Sequence, residues 1–560
     1  MHEHRRHIFP ALAALLGSLL SACGGTSDST PSPPPVGTLE VACSGTSCGA
    51  ASPTQYSGSG VGIWRYRNTG DSAASVDIDI SGVSAGQQAL LLFSNGSMRS
   101  ASLPAVGTLA SPARFAPAAP VTDPMGGIDR DERPRDAFHS ELLRWNAEAA
   151  ELLQRRDPAS RGSAALGSAA LGTPRPASST PAVGSSKSWY QAATPAGTYT
   201  AVVKAVCNLT ASPGRKAVFW VDPASTASGS IGDSDLVFFQ NVFCGATGGF
   251  ARVIEALGDV WGAGAAQYTN VIQDEPVLQD VNILFLEVKQ NVWAGYFASA
   301  NNLLKSSVPA SNEALAFFID SAQVRKSLPA SEDYIGSTLL HELTHMVNFN
   351  QRNIVRGYDF RSDTWLEEMS AMMTEDIVVP SVTTNRYSSI PGQRVRGYIR
   401  SGGGASLLNW SFPAQDAYSV GGSLDGFLDR RYGTAIWKGQ VDCPGGASWS
   451  CMDGLIRTAG GEGFADEFAR LGATIFGLVP AATTPDGYGF PRKLAGEYTL
   501  DAIDPTTYTS YRPATATSLG VTFDPGTQTY LLDTIPSGGT RYQRNGVSVP
   551  AGTSIMLVVQ

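Results

Sequence analysis

His341-Glu342-Leu343-Thr344-His345 is the segment whose residue types and spacing could do chemistry. On a helix, positions i and i+4 lie on nearly the same side, so two imidazoles can share one metal ion with Glu342 beside them. Zinc suits two imidazoles plus one carboxylate, one ion per chain, and a catalytic site leaves the fourth position to a water whose pKa falls to roughly 7. Glu342 would take that water's proton. Of the six histidines, His2, His4 and His7 belong to the extreme amino terminus, so His139 is the only other imidazole in the body of the chain. It sits in an amphipathic stretch where a solvated side chain is the ordinary reading.

A five-residue pattern with two free positions also arises by chance, and most surface His/Glu pairs are simply solvated, so the surroundings decide. A wheel begun at Tyr334 lines up Ile335, Leu339, Leu343, Met346 and Val347 and puts both histidines nearly opposite, which argues against core histidines. The flanks Thr338-Leu339-Leu340 and Met346-Val347 carry no charge, as the wall of a packed cleft requires. Ser331 with Glu332 and Asp333 makes a helix start whose acids complement the dipole. For the third ligand, two adjacent glutamates compete in Thr364-Trp365-Leu366-Glu367-Glu368-Met369. The apolar stripe of Trp365, Leu366, Met369, Met372 and Met373 leaves Glu367 on the far side and Glu368 at its edge, which favours Glu368. Glu367 has a sufficient role of its own, since Thr364-x-x-Glu367 is a capping box.

These helices need a scaffold, and 560 residues suffice for roughly three or four folding units. With 42% hydrophobic and 16% charged residues, packed domains joined by irregular segments are expected rather than wholesale disorder. A net charge of −9 without a basic run excludes nucleic acid as a natural partner. Alternation such as Val76-Asp77-Ile78-Asp79-Ile80 predicts a small β domain over residues 56–110, and Thr, Tyr and Val with frequent Pro and Gly predict a second β module over 497–560. Residues 111–187 read as a low-complexity linker with one helix, on which Phe138, Leu142, Trp145, Ala149 and Leu152 recur at helical spacing. Between them, strand-like runs at 199–207, 217–221 and 281–288 and a helical pattern from Phe250 to Trp261 place an α+β domain over 188–496. Asp233-Ser234-Asp235 and Asp129-Arg130-Asp131 could attract calcium, but neither fits the twelve-residue loop, and solvated turns are preferred.

Residues 1–22 have a basic start, an apolar stretch and Leu20-Ser21-Ala22-Cys23, the layout of a secretory signal too short to span a bilayer. L-S-A-C resembles the bacterial lipobox, which implies acylation of Cys23, contact with a lipid bilayer, and a Ser/Thr/Pro-rich tether over 23–55. Gly24 after it resembles the outer-membrane sorting pattern, so the cell envelope, or the exterior after ordinary signal cleavage, is the expected address. Six other cysteines then stand in a compartment that permits disulfides. Sequence leaves fifteen pairings open; the close pairs Cys43 with Cys48 and Cys443 with Cys451 suggest local loops and leave Cys207 with Cys244.

HELTHMVNFNQR followed by TWLEEMSAMMTEDI resembles the hyicolysin-type neutral metallopeptidases within the gluzincin group, over about residues 215–495. The resemblance implies a mixed sheet over the His341–His345 helix plus a helical subdomain, with Glu368 as the zinc ligand, because gluzincin aminopeptidases carry a similar W-L-N-E segment. Here Glu367 replaces the Asn. Their G-A-M-E-N motif is absent, which implies cleavage inside protein or peptide chains. Tyr418-Ser419-Val420-Gly421 is similar to the Y-x-x-G segment that supplies the catalytic tyrosine, with a packing tyrosine as the alternative, and Gly295-Tyr296-Phe297 stands where an edge strand would hold extended substrate. Two other functions compete with a zinc endopeptidase: an inactive surface-binding lipoprotein that keeps the fold, and a hydrolase with paired carboxylates.

Overall fold

The computed structural model describes residues 36–103, 133–154, 180–193, 195–268, 279–288, 293–324, 331–358, 364–383, 390–410, 414–513 and 522–560. Cys23, the signal segment and Asp129-Arg130-Asp131 lie outside the described residues. Among the described residues no helix is long and apolar enough to cross a membrane. Disulfides join Cys43 to Cys48, Cys207 to Cys244 and Cys443 to Cys451.

The amino-terminal strands are β1 (Gly62–Arg67), β2 (Ala74–Ser81) and β3 (Gln88–Asn95). Val76, Ile78 and Ile80 of β2 are buried as the alternation predicts. The helix read in the linker is α1 (Arg133–Gln154). Then follow β4 (Ser186–Gln191), β5 (Gly197–Asn208), β6 (Lys216–Val221), α2 (Asp233–Phe243) and α3 (Gly249–Leu257), which ends at Gly258 in a positive-φ conformation, short of Trp261. Next are β7 (Val281–Leu286), β8 (Gly295–Phe297), β9 (Ala316–Asp320) and α4 (Ser331–Asn348), which runs on as a wider helical turn, Phe349–Val355. The helical layer is α5 (Thr364–Ile377), α6 (Ile390–Ser401), α7 (Ala414–Tyr432), α8 (Ser448–Thr458) and α9 (Phe464–Phe476), and the chain closes with β10 (Thr527–Thr534), β11 (Arg541–Val549) and β12 (Ser554–Val559).

The central sheet has the order β8-β9-β7-β6-β5-β4. Its middle strands β6, β7 and β9 run parallel, and their sequences KAVFWV, VNILFL and AFFID are continuous apolar runs because both faces are covered. Phe219, Ile283, Phe285 and Phe317 face the core shared with α2, α3 and α4, while Val218, Trp220, Leu284 and Phe318 face the opposite way, toward Phe138 of α1. Antiparallel β8 forms the edge, with Tyr296 opposite Phe318. Gly295 allows β8 to lie on α4: a Cβ there would stand 2.6 Å from Thr338 Cγ2, one turn before His341.

The two chain ends correct the expected domain plan. They make no separate modules but share two sheets. β3 pairs on one side with β10 and on the other with β12, β12 pairs in turn with β1, and β2 pairs with β11. Periodicity reveals that a segment is a strand but not its partner, here more than four hundred residues away along the chain. The run Ala89–Phe93 is apolar throughout because α9 covers its second face. Residues 36–55 are also more than a tether: Leu39 and Cys43 are buried, and the Trp64 indole N–H donates to the Ser52 carbonyl. At the other boundary, Lys493–Ala495 pairs with Tyr498–Leu500 against α5 and α7, so the hairpin belongs with the helical layer. Nor is Asp233-Ser234-Asp235 a solvated turn: it opens α2, where buried Asp235 accepts the Gly232 backbone N–H.

Candidate metal centre

α4 carries His341, Glu342 and His345, and its Ile335, Leu339, Leu343, Met346 and Val347 are fully buried, as the wheel predicts. The helix is nevertheless enclosed on nearly every side, since β8 covers one flank and α5 another. α5 in turn buries Trp365, Leu366, Met369, Met372 and Met373. The donor atoms of His341, His345 and Glu368 all lie within 4.8 Å of one another, the one group of its kind among the described residues. Glu368 Oε2 stands 3.2 Å from His341 Nε2 and 3.6 Å from His345 Nε2. That oxygen is buried and makes no directed hydrogen bond. Two ring nitrogens and an orphaned carboxylate oxygen converging on one point fit a small divalent cation, and an imidazole–imidazole–carboxylate set suits zinc.

The other ring nitrogen of each histidine is also held. His341 Nδ1 lies 2.9 Å from Glu375 Oε1 and His345 Nδ1 lies 3.1 Å from Glu367 Oε1. Carboxylates in these positions fix ring orientation and direct Nε2 toward the shared point. Glu367 is itself anchored, accepting from Asn348 at 3.1 Å and from Arg352 at 2.8 Å, the latter on the wide turn that continues α4. Its carboxylate therefore serves the histidine rather than a capping box, a correction that follows from the turn bringing Arg352 back over α5. Glu375 was not singled out in the sequence, although it lies two helical turns beyond Glu368 and hence near the same face. Arg394 of α6 also escaped notice: its guanidinium stands 3.8 Å from Glu375 Oε2 and packs over the Tyr418 ring at 5.2 Å.

The electrostatics favour positive charge at this point. Burial opposes the His341 imidazolium, but the carboxylates of Glu368 and Glu375 raise it to about 9. His345 is likewise raised against its burial, by Glu368 and Glu367. Glu368 is held well below the carboxylate range, the attraction of His345 and His341 overcoming desolvation. Burial pushes the Glu342 carboxyl up, partly offset by the two histidines, and the Phe297 backbone N–H donates to it. A raised pKa brings a base closer to the working range of proton transfer.

Tyr418 reaches the same cluster from α7, hydrogen-bonding Glu368; burial, then the neighbouring carboxylates, keep its hydroxyl protonated and so a donor. Its ring meets Trp410 edge-on at 5.1 Å. Gly421, three residues on, lets α7 approach α5, for a Cβ there would lie 2.8 Å from Met372 Cε. All five residues singled out from the sequence are thus gathered at one place, with β8 running past Glu342.

A family model described as Peptidase M30 matches residues 197–560, which includes the closing strands β10 to β12, and a second, described as a domain of unknown function (DUF8571), matches residues 41–108. Over 138 residues the chain is 28% identical to the neutral metalloprotease ShpI of Staphylococcus hyicus, a match covering 23% of this chain and 30% of that protein. The chain thus spans less than a third of the length of that curated relative.

Proposed function

The chain belongs to the Peptidase M30 family, and from that premise we propose that it is a zinc-dependent endopeptidase, exported and lipid-anchored through Cys23, that hydrolyses peptide bonds in protein substrates. The observation that carries this reading is the buried Glu368 Oε2, outside any directed hydrogen bond, facing two imidazole nitrogens, each braced from behind by a glutamate. His341, His345 and Glu368 would hold the zinc, which when bound supplies Lewis acidity to a water and to the scissile carbonyl. Glu342 accepts the proton of the attacking water and hands it to the departing amine. The Tyr418 hydroxyl donates to the oxygen on which negative charge develops. β8, a sheet edge beside the base, offers backbone groups to an extended chain irrespective of its side chains, which suits cleavage within polypeptides. Three disulfides accord with an exported protein.

Metal analysis of the purified protein and casein hydrolysis by wild type and Glu342→Gln test this together. Near one zinc per chain is expected, with activity falling by about 10²–10⁴-fold in the variant while the metal is retained. Active protein free of metal refutes the mechanism, and zinc-loaded protein inert on peptides points to a binding role. Incorporation of labelled palmitate, abolished by Cys23→Ala, checks the anchor; equal labelling of both forms removes it.

A further inference from the structure

α1 runs from the edge-strand region of the central sheet to α7. At its amino-terminal half, Phe138 is buried against the edge-strand region, with its ring 6.2 Å from Trp293 and 5.6 Å from Tyr296 of β8. At its middle, Asn146 Oδ1 accepts from both the backbone N–H and the hydroxyl of Ser299, at 3.0 and 2.9 Å, just past the end of β8. At its carboxyl-terminal half, Ala149 and Leu153 are buried in the core that includes the helical layer, and α1 touches α7, the helix bearing Tyr418. Its 22 residues extend about 33 Å, enough to bridge the β8 edge and α7, the two walls between which a peptide would pass Glu342. Glu342 is 4% exposed in this arrangement. Its outer face is charged, with Arg144 paired to Glu148 at 2.9 Å, so it docks by one stripe only.

We propose that α1 is an autoinhibitory strap, docked across the β8 edge and α7, and that the site opens to polypeptide when this helix leaves. The proposal rests on the peptidase reading for its consequence. Release is compatible with the rest of the fold, because the strands preceding α1 are woven into the same sheets as β10 to β12 and stay in place when the connections flanking α1 are cut.

The test uses the full zinc-loaded chain with site-specific protease sequences substituted within 105–131 and within 156–178. Cutting at both sites is expected to raise kcat/KM on casein by at least about tenfold, as it must if the docked state holds more than nine-tenths of the molecules, and added peptide of residues 133–154 is expected to reverse the gain. A second measurement does not depend on turnover: a peptide hydroxamate titrated into Glu342→Gln protein should bind at least about tenfold tighter after cutting. Tighter binding without casein hydrolysis by the cut wild type would sustain the strap and sink the peptidase reading. Unchanged affinity and unchanged turnover in soluble, zinc-loaded cut protein would overturn the strap and make α1 ordinary packing. Should the cut protein precipitate, Asn146→Ala in the uncut chain decides instead: faster turnover or tighter hydroxamate binding supports the strap, and wild-type values of both overturn it.

Discussion

Two buried acidic groups share the helices α5 and α7, yet their chemistry is opposite. In the first, each carboxylate faces nitrogen: Glu375 meets His341, Glu367 meets His345 and Arg352, and Glu368 faces both imidazoles. In the second, two turns along, Asp376 is taken by Arg430 at 2.6 Å, while Asp425 and Asp429 are fully enclosed with all four carboxylate oxygens unpartnered. The first holds Glu367 and Glu368 ionised, because their charged neighbours outweigh desolvation. The second drives Asp425 and Asp429 well above the carboxylate range, through desolvation first and then the repulsion of neighbouring acids. Burial alone therefore does not make a reactive centre. What distinguishes one is convergence of donors and counter-charges on a point, and the variants below probe that distinction.

Glu368→Gln should have the largest effect. It keeps shape but removes the charge on which both imidazoles converge, so zinc retained after dialysis should fall below about a tenth of wild type and casein hydrolysis should vanish with it. Full zinc occupancy in the variant would place the third ligand elsewhere. Next comes Tyr418→Phe, which leaves the ring packed on Trp410 and Arg394 but deletes the donor. Here kcat should drop about 10²–10³-fold with KM and zinc content little changed; an unaltered kcat would assign Tyr418 to packing. Third, Glu375→Gln weakens the brace behind His341, and competition with a chelator should show zinc affinity reduced about 10–100-fold. Wild-type affinity would mean that the ring needs no such support.

The centre was legible because its signals are local. A four-residue spacing places His341 and His345 together on any helix, and the apolar stripes of α4 and α5 orient Glu342 and Glu368 without knowledge of the fold. Tyr418 rested on a short resemblance, and the packing reason for its glycine, the approach of Gly421 to Met372, becomes visible only when α5 and α7 are placed together. Glu375 and Arg394 were missed because lone charged residues on helices are usually solvated; only the burial of three helices at once turns them inward. Glu367 was misread because a capping box and a histidine brace use the same residue at the same position, and the choice is made by Arg352 on the turn after α4. The joined β-sheets were illegible for a different reason. Alternation in β2 and β3 sets which side chains point inward, but strand partners are selected by tertiary packing.

The sharpest test of the contrast concerns Asp425 and Asp429. A carboxyl whose folded-state pKa exceeds its unfolded value near 3.9 binds a proton more tightly in the native protein, so stability falls as pH rises. The contribution is fully present below about pH 4 and is lost progressively until the folded-state pKa is passed. Asparagine mimics the protonated acid in shape but cannot ionise. The double variant Asp425→Asn/Asp429→Asn should therefore match wild type near pH 4 and exceed it increasingly toward pH 9, with zinc affinity unchanged because neither residue faces an imidazole. Calorimetric Tm across that range, with zinc saturating, reads the difference between the two proteins and so cancels groups they share. A wild-type minus variant difference that stays flat with pH would show that these acids are ionised in the native state, and that the second pocket carries charge as the first one does.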